Sequence, residues 1–205
     1  GVEIPAERIP LIQKEIVKKC RDRKKPVIIA TQMLQSMIDN PRPTRAEVTD
    51  VANAIFQSSD AIMLSGESAF GKYPIEAVKT MTKIALQTEQ TIVVNLDLHL
   101  REVVKQVAGV LAQSLVAATQ ELPVKALIFD TYTGRVGRYL STFRPSVPLY
   151  AMCYNDYTMR ELGLVFGVKT YKFDKVKDKE EFAAKSIEIL SKEGYIKPGD
   201  LVGFI

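Results

Sequence analysis

Residues 26–77 read PVIIATQMLQSMIDNPRPTRAEVTDVANAIFQSSDAIMLSGESAFGKYPIEA, and they narrow the choice of fold more than any other stretch. Two short apolar runs, VIIAT (27–31) and AIMLS (61–65), each end in a hydroxyl residue. Runs that are apolar on both faces suit buried parallel strands. Each is followed by a polar loop and then a helical pattern. In the first unit Thr44 and Glu47 form Thr-x-x-Glu ahead of Val48, Val51, Ala52 and Ile55, the signature of a capping box. In the second, Pro74 stands where a first helical residue belongs and Glu76 favours the first turn. Two strand–helix units back to back place polar residues at the carboxyl ends of parallel strands, where α/β folds carry their chemistry.

The flanking sequence extends this pattern. A helix opening at Pro10 puts Leu11, Ile12, Ile16, Val17 and Cys20 on one side, with Lys18, Lys19, Arg21 and Arg23 toward water. The helix from Pro74 runs towards Thr91, and 92–100 is ambiguous between helix and connector. A second helical pattern, about 102–119, is apolar on nearly all sides and is expected to be buried. From Val124 the units shorten. ALIFD, PLYAM, VKTYKF and DLVGFI read as strands, with helices expected over 135–143, 157–166 and 179–193. That alternation predicts a doubly wound α/β domain. The expected division is 1–95 and 96–205. The chain begins inside a loop and stops inside an apolar run, LVGFI, so it reads as part of something longer.

Composition excludes several classes. No apolar run approaches about 18 residues, so no membrane span is expected, and no signal-peptide pattern opens the chain. The net charge of +4 divides evenly, +2 in each half, with no basic tail to suggest nucleic-acid binding. Cys20 and Cys153 lack metal or redox spacing and read as buried thiols in a reducing cytosol. His99, the only histidine, has no Cys or acid at useful spacing, so histidine-dependent catalysis is not expected.

The candidate site residues lie in loops after strands. Thr31 is either a β-branched strand end or a hydroxyl aimed into a cleft. Arg45 opposes the macrodipole in its helix's first turn; it is either solvated or seeks a carboxylate, carbonyl or phosphate. Gly66 permits a tight turn that points Ser65 and Glu67 into one cleft, although Glu67 also suits a pairing with Lys72 or a helix N-terminal charge. A carboxylate with hydroxyls and water is a workable acid/base relay. Thr131-Tyr132-Thr133-Gly134-Arg135 joins a strand to a helix, and hydroxyls, amides and a helix start together suit either a phosphate or a plain cap.

KPVIIATQMLQSMIDNPRPTRAEVTDVANAI followed by DAIMLSGESAFGKYPIEAV closely resembles the last two strand–helix units of the pyruvate kinase barrel, and GVEIPAE resembles the loop after the preceding barrel strand. The likeness is dense over 1–80 and mainly architectural from about residue 95. It implies a partial (β/α)8 barrel followed by a doubly wound α/β C-terminal domain, truncated at its end. It also implies a cytoplasmic glycolytic enzyme moving phosphate from phosphoenolpyruvate to ADP, giving pyruvate and ATP, and assembling as a tetramer. By this resemblance Thr31 lies beside the enolate carbon, and Ser65 and Glu67 belong to the proton relay. Arg45 braces a neighbouring subunit's active site. Thr131, Thr133, Gly134 and Arg135 hold a sugar phosphate effector. Val136 stands where the family's effector loop has Ser, and Ser68 where it usually has Thr. The family's magnesium and potassium ligands and its phosphoryl-binding lysine fall upstream of Gly1, so no metal is expected within this chain, and the chain alone is expected to be inactive. The rival reading is a non-catalytic regulatory or assembly module that binds a phosphorylated metabolite.

Overall fold

A computed structural model describes residues 3–30, 32–92, 94, 96 and 107–205. They divide into two units, Gly1–Val93 and Val94–Ile205, each taken by itself below. The expectations for Thr31, for His99 and for most of the 92–100 connector lie outside the described residues.

In the first unit a short 3-10 turn leads into α1 (Ile9–Asp22), with Pro10 in its first turn. β1 (Ile28–Ala30), α2 (Arg45–Phe56), β2 (Ala61–Met63), the single-turn α3 (Gly66–Ala69) and α4 (Pro74–Glu89) follow. β1 and β2 pair in parallel, Ile28 opposite Ala61 and Ala30 opposite Met63. The core gathers Val17, Ile29, Met33, Leu34, Met37, Val51, Ala54, Ile55, Ala77 and Met81. The apolar side expected for α1 is narrower than its pattern suggested. Val17 is buried, but Leu11 is 70% exposed and Ile16 51%. Conversely, Arg21 is half-buried rather than turned to water, and desolvation pulls its guanidinium below the usual arginine range.

The capping box at α2 is present and does more than cap. The Glu47 amide donates to Thr44 Oγ1 at 3.3 Å, and Glu47 Oε2 accepts from the Thr44 amide at 2.7 Å. The same carboxylate accepts from the Ser36 amide and hydroxyl, both at 2.6 Å. Burial acts to raise the Glu47 carboxyl pKa, but the bonds from Ser36 and Thr44 together hold it below the usual range. Its folded value is therefore depressed, so its stabilisation is present above about pH 4.5 and is lost as pH falls through the folded value. We expect Glu47→Gln to cost about 1 kcal/mol or more at pH 7. In urea unfolding the gap from wild type should narrow at about pH 3; an equal gap at both pH values would show that charge plays no part.

The second unit is a four-stranded parallel sheet in the order β5-β4-β3-β6. Its elements are α5 (Val107–Glu121), β3 (Val124–Thr131), α6 (Arg135–Thr142), β4 (Leu149–Cys153), α7 (Asp156–Leu162), β5 (Val168–Lys172), α8 (Lys179–Lys192) and β6 (Leu201–Phe204). Residues of α5, α6 and α7 pack with Leu127, Phe129, Leu149 and Ala151 on one face. Phe182 and Leu190 of α8 pack with Ala126, Ile128, Tyr150 and Met152 on the other. The sheet is thus doubly wound, and the strand order reverses at β3, with β4 and β5 added on one side and β6 on the other. α5 is not buried all round as expected: Ala112 and Val116 face the core, while Val107, Val110 and Leu111 are exposed. Cys153 is buried and desolvation pushes its thiol up to about 11, which leaves it inert; Cys20 is only half-buried.

Candidate functional site

In the first unit, polar groups collect in the loops that leave the carboxyl ends of β1 and β2. Glu67, in the single turn α3, is fully buried. A buried carboxylate demands partners, and it has them on both sides. Its Oε1 accepts from the Leu34 amide at 3.0 Å and its Oε2 from the Ser65 amide at 2.7 Å. Glu67 therefore ties the loop after β1 to the loop after β2. Lys72 does not pair with it; Lys72 pairs with Asp39 at 2.9 Å, and its amide donates to the Ile38 carbonyl at 2.7 Å. Gly71 lets these loops meet, since a Cβ there would lie 2.6 Å from the Glu67 carbonyl oxygen. Gln32 adopts a left-handed backbone (φ 55°), an uncommon conformation for a non-glycine residue and one that clusters at functional loops. Ser65 is half-buried at the cap of α3, and Ser68 is exposed. Met33, Leu34 and Met37 are core residues. Arg45 is the first residue of α2 and is exposed, with no ion pair among the described residues.

In the second unit the 131–135 turn is a built loop. Thr131 ends β3 nearly buried, and its hydroxyl accepts from the Gly134 amide at 2.8 Å. Gly134 is left-handed (φ 71°), and a Cβ there would press on Leu162 at 3.0 Å. The Gly134 amide is thus committed inside the turn, and the amides of Val136 and Gly137, the second and third residues of α6, belong to its first turn, where helices lack intrahelical acceptors. Arg138 braces the turn by donating to the Thr133 carbonyl at 2.6 Å and pairing with Glu161 at 3.2 Å. Arg135 is exposed, with its guanidinium 5.9 Å from the centre of the Tyr139 ring. Thr133 offers no side-chain cap to α6.

Beside this turn lies a cleft of about 530 Å³ that was not anticipated from the sequence. Its walls come from the ends of β3 and β6, from Tyr132 and Tyr154, and from residues 175–179 leading into α8. The signal available beforehand was the run Lys175-Val176-Lys177-Asp178-Lys179 between a strand and a helix. Among the described residues no three His, Cys, Asp or Glu side chains converge to hold a metal ion. No described helix is long and apolar enough to cross a membrane.

Together these features define an α/β protein with parallel sheets whose polar groups sit at strand carboxyl ends in two separate units. The family model described as pyruvate kinase, barrel domain, matches residues 1–78, and that described as pyruvate kinase, alpha/beta domain, matches residues 110–205. The chain belongs to the pyruvate kinase family. It is 46% identical over 204 residues to a pyruvate kinase of Geobacillus stearothermophilus, covering 98% of this chain and 35% of that relative. A crystal structure of a pyruvate kinase from Cryptosporidium parvum superposes with a TM-score of 0.90 at 36% identity, covering all of this chain and 42% of that one. A second, the Cryptosporidium parvum enzyme in complex with ADP, gives 0.85 at 36% identity, covering 98% and 41%. The chain spans 35% to 43% of the length of the first curated relatives it matches.

Proposed function

We propose that this chain is the part of a cytoplasmic, tetrameric pyruvate kinase that handles the proton rather than the phosphate. The whole enzyme transfers phosphate from phosphoenolpyruvate to ADP with magnesium and potassium, and the chain alone makes no pyruvate. The observation that carries this reading is Glu67, a buried carboxylate that clamps the loops after β1 and β2. Clamped loops fix Ser65 at the end of β2, and a relay of hydroxyls and water to an enolate carbon needs such fixed groups; Thr31 enters that relay from the family resemblance. With both oxygens occupied by backbone amides, Glu67 acts as a positioning residue for that relay. Arg45, exposed at the start of α2, suits the bracing of a second subunit. The likeness to a pyruvate kinase solved with ADP supports the nucleotide as cosubstrate. The 131–135 turn is the effector phosphate site, with Arg135 as its cation.

Thr31→Ala in the intact enzyme tests the relay. Turnover should fall by about 10²-fold, within the range for loss of a positioned proton-transfer group, while phosphoenolpyruvate binding changes little. Deuterium incorporation into pyruvate should fall in step with turnover. Wild-type incorporation in the variant would remove Thr31 from the relay.

A further inference from the structure

We infer that Glu47 is a positioning residue for the proton relay, acting through Ser36 on the loop whose Leu34 amide holds Glu67. The inference rests on the relay reading above and extends it to a side chain of α2, outside the strand-end loops. The two oxygens of Glu47 divide their partners. Oε2 accepts from the Thr44 amide and hydroxyl at 2.7 and 2.9 Å, which closes the box at the start of α2, and from the Ser36 hydroxyl at 2.6 Å. Oε1 takes no part in that box. It accepts from the Ser36 amide at 2.6 Å, 11 residues back along the chain. A capping box needs neither contact to Ser36, and bonds to an ionised carboxylate are about twice as strong as neutral ones.

The receiving end is the second observation. Ser36 lies in the first turn of the four-residue 3-10 helix Gln35–Ile38, where amides lack acceptors within the helix. Leu34, at its cap, provides no side-chain acceptor, so Glu47 supplies one from outside. The Met37 amide donates to the Leu34 carbonyl at 2.8 Å, closing a turn that contains Ser36. Leu34 and Met37 are both fully buried, and packed interiors transmit a displacement rather than absorb it. A shift of Ser36 is therefore carried to the Leu34 amide, from there to Glu67 at 3.0 Å, and through Glu67 to the Ser65 amide at 2.7 Å. Further along, the Ile38 carbonyl accepts from the Lys72 amide at 2.7 Å. Glu67 of α3 and Lys72, between α3 and α4, hold the loop from the β2 side. Glu47 is the contact that fixes it to α2.

Exchange of the methyl protons of pyruvate for deuterium on the intact enzyme, followed by nuclear magnetic resonance, reads the proton step apart from phosphoryl transfer. A proton leaves the methyl carbon for the relay, giving the enolate, and a deuteron returns, so no phosphoryl donor is consumed. Glu47→Gln should slow this exchange by about 10-fold to 10²-fold, the scale of misplacing a reacting group by up to about 1 Å, with phosphoenolpyruvate affinity little changed. Ser36→Ala keeps the amide contact and should slow exchange less, while Ser36→Thr should keep the wild-type rate. In the Glu47→Gln protein, Ser36→Ala should add little, because residues in one network do not act additively. Thr44→Ala removes a cap bond without touching Ser36, so it should lower the urea midpoint and leave exchange as in wild type. If Glu47→Gln and Ser36→Ala exchange as wild type does, or Thr44→Ala loses as much as Glu47→Gln, then Glu47 is a cap alone and the inference is overturned. Equal losses of exchange and of phosphoenolpyruvate affinity in Glu47→Gln would overturn it too. Thr31→Ala, run in parallel, separates the failures. If it loses exchange while Glu47→Gln keeps it, the relay reading stands and only this inference falls. If Thr31→Ala exchanges as wild type, the relay reading falls and this inference falls with it.

Discussion

Glu67→Ala should destabilise the first unit by about 3 kcal/mol or more, among the larger costs a single side chain can carry. The Leu34 and Ser65 amides would lose the carboxylate that accepts from both inside a closed loop junction. Each buried donor left unpaired costs about 1–3 kcal/mol, and the emptied volume adds to that because packed interiors relax only in part. Glu67→Gln keeps the volume and one acceptor oxygen but turns an NH₂ toward the second amide, so it should cost about half as much. Urea unfolding of the intact protein, read by the midpoint at constant slope, measures both. Turnover is the second readout. If Glu67 positions the loops, Glu67→Gln should lose turnover while its remaining activity keeps the wild-type pH profile. A Glu67→Gln protein as stable as wild type but with a displaced pH profile would instead make Glu67 a proton donor, and the clamp would be incidental.

A sugar bisphosphate at a hundred times its dissociation constant should stabilise the second unit by about 2.7 kcal/mol if the 131–135 turn binds it. The turn is shaped before any ligand arrives: Thr131 holds the Gly134 amide, and Arg138 holds the Thr133 carbonyl. Such preorganisation lowers the ordering cost of binding. Arg135 is the exposed cation next to the amides of Val136 and Gly137, and its planar fork suits a phosphate in a way a lysine does not. Arg135→Ala should abolish the ligand-induced gain. Without ligand it should cost no more than about 1 kcal/mol, the scale of an exposed cation over a ring such as Tyr139. Thermal shift against sugar mono- and bisphosphates decides it. A gain in Arg135→Ala equal to that of wild type, or none in wild type, reduces the turn to a helix start.

Much of the architecture was legible because local signals agreed with the fold. The Thr44–Glu47 box, Pro74 at a helix start and the alternation after Val124 all match the observed elements. Element ends were less legible because distant partners decide them. VIIAT shortens to Ile28–Ala30: at one end the Val27 amide donates to the Asp60 carboxylate, 33 residues away, and at the other Thr31 falls outside the described residues. AIMLS shortens to Ala61–Met63, and the Ser65 amide belongs to Glu67. The helix expected over 157–166 starts at Asp156, where Asn155 caps it, and stops at Leu162 before Gly163. At the sites, sequence spacing pointed to Ser65 and Glu67 but not to the Leu34 amide, which Glu67 binds from 33 residues away. The cleft depends on strand order, which adjacency along the chain does not reveal, so its aromatic wall went unseen.

Glu47 serves the start of α2 and the Ser36 loop with one carboxylate, and this sets a mechanical tolerance. Sliding α2 along its axis by one residue's rise, about 1.5 Å, would stretch or bend the 2.6 Å contacts to Ser36. The helix that bears Arg45 and the loop that leads from β1 to Leu34 therefore share one datum point. A push on the outer end of that helix is felt as a tug on the strand-end loop, through a tether that bypasses the hydrophobic core.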